Sequence, residues 1–413
     1  MLSSYRQIFA APGSLAFSAT GFLSRLPISM TGIGVVTMLS QMRGSYWLPG
    51  AVVATLAVAG AVMGPLASWL VDQYGQRRVA RPATAVSVLA AAAMLLCARA
   101  GAPDWTLFVC AIGMGAMPST GALVRARWAL LYRDSPAKLH TAYALESVVD
   151  EIIFIVGPIL SIGLATSVFP EAGVLLAAVL LAFGVALFTA QRRTEPPVHA
   201  AARRTGGSAI ASSGLQVLVL TFVATGAIFG SVEVVTVAYA QAQGHKASAS
   251  LVLAAYALGS GLAGMVVGAL RPRGTASGRF RVGVGVMAVT LVPLVLVSAL
   301  CSGVIGLLAV GGALFVSGLT IAPTMITTMG LVEQLVPADQ LTEGMTWTNT
   351  GLAVGVAVGA PAAGMVVDSA GAAAGYWVPF AAGLFGLVVA LAGGRRLQPV
   401  VRRIVPEPVP AAR

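Results

Sequence analysis

The sequence predicts an all-α membrane protein, with twelve spanning helices arranged as two six-helix bundles. Three observations carry that expectation. Of 413 residues, 57% are hydrophobic and 9% are charged, and mean hydropathy is +0.89; a water-soluble chain carries about 25% charged residues. The apolar residues fall into runs of about 20, the length that crosses about 30 Å of hydrocarbon at about 1.5 Å per residue. A polar segment rich in Arg, Pro, Ser and Gly, residues 191–213, divides those runs six and six.

The spans are expected at 14–39, 47–70, 79–98, 105–126, 142–168, 171–190, 215–240, 250–270, 282–300, 304–329, 344–367 and 376–394. Residues 1–190 then form the first bundle, 191–213 a linker, 214–394 the second bundle and 395–413 a tail. The segment Met1–Ala11 is too short and polar for a cleavable leader, and the run after it is long enough to span. That first run carries Arg25. The fourth ends among Arg125, Arg127 and Trp128, where Trp128 reads as an anchor at the membrane interface. The fifth contains Glu146, Asp150, Glu151 and Gly157-Pro158, and the Phe169-Pro170 turn makes the sixth its antiparallel neighbour. The seventh carries Glu233. Glycines of the eighth, Gly259 to Gly268, read as helix-packing positions. The eleventh opens on Thr346-Trp347-Thr348-Asn349.

Charge supports the same layout. The net charge of +11 belongs to cations scattered between apolar runs, not to a basic face on a soluble domain, so no nucleic-acid partner is expected. With the N-terminus cytoplasmic, 21 of the 25 Lys and Arg residues fall on the inner side, three (Arg43, Arg99 and Lys246) on the outer, and Arg25 within a span. That asymmetry places both termini and the linker in the cytoplasm. Two Lys against 23 Arg, with abundant Ala, Gly and Val, point to a high-GC bacterium and so to a bacterial cytoplasmic (inner) membrane. Cys97, Cys110 and Cys301 lie in apolar stretches as small hydrophobes. No zinc spacing, phosphate loop or nucleophile elbow occurs, and His140, His199 and His245 lie in or beside loops. An enzyme, a cofactor, a metal site and ATP use are therefore not expected.

The halves show a faint repeat. Ala19-Thr20-Gly21 matches Ala224-Thr225-Gly226 at an offset of 205, and Gly157-Pro158 matches Gly359-Ala360-Pro361 at about 202. Parallel halves around a midplane site are a common transporter plan. Between the second and third spans runs Ser68-Trp69-Leu70-Val71-Asp72-Gln73-Tyr74-Gly75-Gln76-Arg77-Arg78. It resembles the G-x-L-a-D-r-x-G-r-r-r signature of the major facilitator superfamily, keeping Asp72, Gly75, Arg77 and Arg78. The resemblance implies a conformational gate, a latch that holds one state and breaks during transport; the alternative is a solvated basic loop. The matching loop of the second half, Gly268 to Gly274, keeps cations but lacks the Asp. Gly157-Pro158, followed by Gly163, resembles part of the g-x-x-x-G-P-x-x-G-G motif of drug:proton antiporters in that superfamily, with Ile153, Ser161 and Ile162 departing from it. The alternative is an ordinary kinked membrane helix. The antiporters' mid-membrane Arg of the fourth span is not evident, because Arg125 and Arg127 count to its cytoplasmic end.

Five ionisable residues fall inside spans: Arg25, Glu146, Asp150, Glu151 and Glu233. Each costs at least ~2.5–3.5 kcal/mol at the bilayer centre, so each needs a partner or a wet cavity. Counting residues from the cytoplasmic ends puts Arg25 at a depth similar to Asp150 and Glu151, and in the major facilitator fold the first and fifth helices are neighbours. Arg25 is therefore expected to pair with Asp150 or Glu151, with Glu146 one turn away on the Asp150 face as part of a proton path. The alternative is a permanent structural bridge. Glu233, without an intramembrane cation in its half, is the candidate for substrate charge selection, Trp347 and Asn349 for lining the substrate cavity. The expected function is proton-coupled efflux of small hydrophobic compounds by a monomer whose partners are its substrate, protons and the lipid bilayer. An uptake permease for a sugar or metabolite, and a receptor that transports nothing, are the rivals.

Overall fold

The computed structural model describes residues 6–197, 208–269, 274–336 and 341–398, and among them every regular element is a helix. The first bundle holds α1 (Ser14–Arg43), α2 (Trp47–Tyr74), α3 (Gln76–Arg99), α4 (Trp105–Met114), α5 (Thr120–Leu131), α6 (Pro136–Ser167) and α7 (Ala172–Ala190). The second holds α8 (Ser213–Ala242), α9 (Ala249–Ala269), α10 (Ala276–Leu300), α11 (Gly303–Gly318), α12 (Ile321–Leu335), α13 (Leu341–Ala370), the four-residue α14 (Ala372–Gly375) and α15 (Trp377–Ala392).

Eleven stretches among the described residues are long and apolar enough to cross a membrane, with α11 and α12 forming one continuous stretch. The fourth expected span is broken instead. α4 and α5 are separated at Gly115–Ser119, where Pro118 supplies no backbone donor and Gly115 lies against the α2 backbone. Counting α4 and α5 together, the described residues hold the twelve spans of two six-helix bundles.

Small residues set the closest packing. On α13, Gly351, Gly355 and Gly359 recur every four residues and seat against the backbone of α8 at Val219, Val223 and Ala227. This spacing aligns one flat strip on the helix and lets backbones approach. Gly259 on α9 meets the Phe315 carbonyl of α11 in the same way.

The bundles meet through α2 against α13 and α6 against α9. One end of the molecule carries residue 6, the Gln191–Glu195 segment and residues 393–398; it is called the terminal end below. The hydrogen bonds that join the bundles gather at the opposite, far end. There Asp368, near the end of α13, accepts from the backbone nitrogens of Tyr46 (3.0 Å) and Trp47 (2.9 Å) and from Ser45 Oγ (2.9 Å). Tyr46 Oη donates to Gln241 Oε1 at 2.8 Å, and Lys246 Nζ to Ser40 Oγ at 3.0 Å. Backbone closes on backbone between these bonds: a Cβ on Gly50 would stand 2.6 Å from the Ala360 carbonyl, and one on Gly364 2.7 Å from Trp47 Cα.

Candidate functional site

Four charged residues of the first bundle, Arg25, Arg125, Glu146 and Asp150, converge between α1, α5 and α6. An α-helical Cβ tilts toward the helix N-terminus, so the Arg25 side chain reaches back toward the terminal end, where its Nε donates to Gly21 O at 3.2 Å. Its Nη2 meets Glu146 Oε2 at 2.5 Å and its Nη1 meets Asp150 Oδ1 at 2.9 Å. Glu146 and Asp150, four residues apart, occupy one face of α6 and present two carboxylates to one guanidinium. Glu151 is turned about 100° further around the helix. It has no hydrogen bond or ion pair among the described residues and lies against α9, with a Cβ on Gly261 at 3.4 Å from its Oε2.

Two further side chains complete the cluster. Arg125 Nη2 reaches Asp150 Oδ2 at 2.5 Å, and Trp128 Nε1 donates to Glu146 Oε1 at 2.7 Å. They stand three residues apart on α5, whose independent start after the break at Gly115–Ser119 sets both toward α6. Trp128 is fully buried, edge-on to Phe17 and stacked on Tyr132, rather than anchored at an interface. The cluster is closed on one side and open on the other. Glu146 is fully buried and Arg25 3% exposed, whereas Asp150 and Arg125 are 34% and 38% exposed. Two cations face two carboxylates, so the cluster is neutral overall and each charge is satisfied by hydrogen bonds, as buried ions require.

α1 and α6 are held together further along by small residues. Ser29 Oγ donates to the Ile153 carbonyl at 2.8 Å and Ser161 Oγ to the Met30 carbonyl at 3.0 Å. Gly157 lies between these bonds, and a Cβ on it would overlap Ser29 Oγ. Gly157 and Pro158 are both buried within an uninterrupted α6, at the seam with α1.

Glu233 lies on α8, half-buried and facing α1. Its Oε2 would be 3.8 Å from a Cβ on Gly32, and it has no hydrogen bond or ion pair among the described residues. One turn before it Phe229 meets Tyr256 of α9 edge-on, with centroids 6.3 Å apart, so an apolar aromatic wall adjoins the carboxylate. Trp347 and Asn349 are not brought together. Trp347 packs against the second bundle's core around Leu215 and Phe280, while Asn349, two residues on, is exposed.

At the turn between α2 and α3, Gly75 takes φ 90° and ψ 157°, a conformation open to glycine. The side chain of Asp72 lies outside the described residues. Arg77 presents its backbone nitrogen to Glu195 Oε1 at 2.9 Å, so the start of the linker caps α3, while Arg78 is exposed. Gln76 and Arg127 sit beneath the same turn, joined at 2.9 Å, and Arg127 stacks on Phe188.

The sequence signals missed here are specific. Arg125 and Trp128 share a face of α5 by spacing alone, but the break in the fourth span moves that face, and residue counts across a break misplace it. Asp368 carries no motif; it was visible as a carboxylate at the far end of the eleventh span.

Comparisons agree with this architecture. Characterised proteins give no significant sequence match. Among solved structures, the nucleoside transporter NupG in a mutant form superposes with TM-score 0.71 at 16% identity, over 93% of this chain and 100% of that one. A POT family transporter in complex with a thioalcohol-conjugated peptide gives 0.69 at 13% identity, over 94% and 96%. A bacterial homologue of the iron transporter ferroportin, in an inward-facing state, gives 0.65 at 17% identity, over 92% and 99%. Identities this low establish a shared fold. The family model of the Major Facilitator Superfamily matches residues 17–314. With most of its length matched and twelve spans in two bundles, the chain belongs to the Major Facilitator Superfamily and is a membrane transporter, not an enzyme.

Proposed function

We propose that the protein is a proton-coupled secondary transporter that exports small, fairly apolar solutes by alternating access. The observation that carries this reading is Glu233, a carboxylate of the second bundle set against α1 of the first, with no partner among the described residues. A carboxylate held between two bundles inside a membrane needs a proton or a cationic solute to neutralise it, and exchanging one for the other couples their movements. The Phe229 and Tyr256 rings beside it suit an apolar body attached to such a charge.

The Arg25 cluster supplies the second element. Asp150 is shared by Arg25 and Arg125 and is its exposed carboxylate, so protonating Asp150 loosens α6 from both α1 and α5 while Glu146 keeps Arg25 anchored. Glu151, against α9, extends the acidic path to the seam between bundles. The positive-inside count puts the terminal end in the cytoplasm of a bacterial inner membrane. On that orientation the bonded far end is the outer one, and the Asp72–Arg78 turn is the inner latch that closes when the far end opens. The cargoes of the three fold neighbours differ, which leaves selection to the cavity and not to the fold. The working unit is a monomer, since each bundle pair encloses its own gap.

The test is accumulation of a fluorescent lipophilic cation in bacteria lacking their main efflux pumps, comparing wild type, Asp150→Asn and Glu233→Gln at matched membrane levels, with and without a protonophore. Lower accumulation with wild type alone, abolished by the protonophore, supports the reading. Unchanged accumulation with well-folded wild type refutes broad export, and import of the probe refutes the direction.

A further inference from the structure

The surface of the first bundle carries an apolar groove whose mouth adjoins the turn between α2 and α3. It runs between α2 and α3 at the terminal end and encloses about 570 Å³, within the range of sites that hold small organic molecules. Leu66 and Leu70 form one wall, Val79 and Pro82 the other, and Ala116, in the break between α4 and α5, lies at its floor. The groove exists because the sequence leaves room there. Ala67, Ala83 and Ala116 are the small residues of its lining, and the fourth span unwinds beside it at Gly115–Ser119.

The mouth is chemically different from the walls. Tyr74 and Arg78 stand there, Tyr74 51% exposed, and Arg78 exposed with no hydrogen bond or ion pair among the described residues. Arg77, beside Arg78 in the chain, is close enough to Arg81 and Arg192 to feel their charge. The nearby acid, Glu195, is engaged with the backbone nitrogen of Arg77. An exposed guanidinium with no partner among the described residues, at the mouth of an almost wholly apolar groove, matches a molecule with an anionic head and a hydrocarbon tail.

We propose that this groove is a binding site for an anionic phospholipid, its phosphate on Arg78 and one acyl chain between α2 and α3. Guanidinium and phosphate form paired, charge-assisted hydrogen bonds, and an anionic lipid surface attracts each nearby Arg by about 1 kcal/mol. Tyr74 places its ring at the level where head and tail meet, the position aromatic residues favour in membranes. A free phosphate would satisfy Arg78 and leave the groove empty, and a zwitterionic lipid would fill the groove without answering the local positive charge.

The full chain, purified in detergent, is heated in the presence of phosphatidylglycerol, phosphatidylcholine or glycerol phosphate. Phosphatidylglycerol is expected to raise the unfolding midpoint at concentrations where the other two do not. Arg78→Gln is expected to require about tenfold more phosphatidylglycerol for the same rise, the loss of one charge-assisted contact of about 1.4 kcal/mol. Ala83→Phe, which fills the groove and leaves the charges alone, is expected to remove the lipid-specific rise without lowering the midpoint in detergent. An equal rise with phosphatidylcholine overturns the proposal, as does a rise with glycerol phosphate alone, which would mark a phosphate site only. A full response in both variants also overturns it. Because Ala83→Phe leaves every Arg in place, a folding defect in Arg78→Gln does not leave the question open.

Discussion

Removing the Asp368 carboxylate should release the far end of the transporter. α2 begins at Trp47 without a side-chain cap of its own, so its first backbone donors depend on a residue more than three hundred positions away, in the other bundle. Asp368 takes the Tyr46 and Trp47 nitrogens and Ser45 Oγ at 2.9–3.1 Å. When the bundles part there, those donors turn to water, so the bonds favour the closed state by their net and not their gross strength. Replacing a capping carboxylate by Ala costs about 0.5–2 kcal/mol. Because the whole loss falls on one conformer, Asp368→Ala should shift the closed-to-open equilibrium by roughly five- to thirtyfold at about 1–2 kcal/mol. Asp368→Asn, which keeps an acceptor oxygen, should shift it less.

The assay is a spin-label distance across the far end, with labels at positions 100 and 242, both exposed, in a chain whose three cysteines have been replaced. Asp368→Ala should move population to longer distances, and Asp368→Asn should fall between it and wild type. Identical distributions in all three would refute the trans-capping argument. A shift equal in Asn and Ala would assign the effect to charge and not to capping.

Other perturbations separate structural from mechanistic roles. Gly157→Val should cost about 1–3 kcal/mol by overpacking against Ser29, read as a lower thermal midpoint; an unchanged midpoint would show that the α1–α6 seam yields freely. Arg25→Met should cost about 3–5 kcal/mol because it strands the buried Glu146, and adding Glu146→Leu should recover most of that loss. If the double variant is no more stable than the single one, the bridge is not the source of the cost. Trp128→Phe removes one donor from Glu146 and should cost about 1–3 kcal/mol, checked by the same melt. Glu233→Gln should leave the melt within about 0.5 kcal/mol of wild type, since no partner is lost, while substrate-driven proton movement in proteoliposomes disappears; retained movement would remove Glu233 from the coupling.

The twelve spans were readable because membrane crossing imposes a length and a composition that survive without tertiary information. One departure has a local cause: the fourth span breaks where Gly115 and Pro118 interrupt it, while α11 and α12 together make the single tenth span that was expected. Within the charged cluster, depth counting brought Arg25 to the right level of α6, but depth does not give the direction of a side chain. Arg25 reaches back toward its own N-terminus, so it takes Glu146 and Asp150 and leaves Glu151 to α9. Trp347 and Asn349 show the same limit: adjacent in a motif, they fall on different faces of α13. The trans cap at Asp368 had no counterpart in any pattern, since capping partners on different helices leave no fixed spacing.

The far-end closure at Gly50 and Gly364 has an electrical consequence. Backbone resting on backbone leaves no room for a file of water molecules, and a membrane that stores about 2.3 kcal/mol per elementary charge at 100 mV is discharged by any such file. On the proposed proton coupling, the carrier must insulate on one face whenever it is wet on the other. Larger side chains at these two positions would hold the bundles ajar and turn the closed state into a slow proton leak, draining the gradient whether or not cargo is present. The small residues here act as an insulating gasket, and their cost in helix propensity is the cost of keeping the membrane charged.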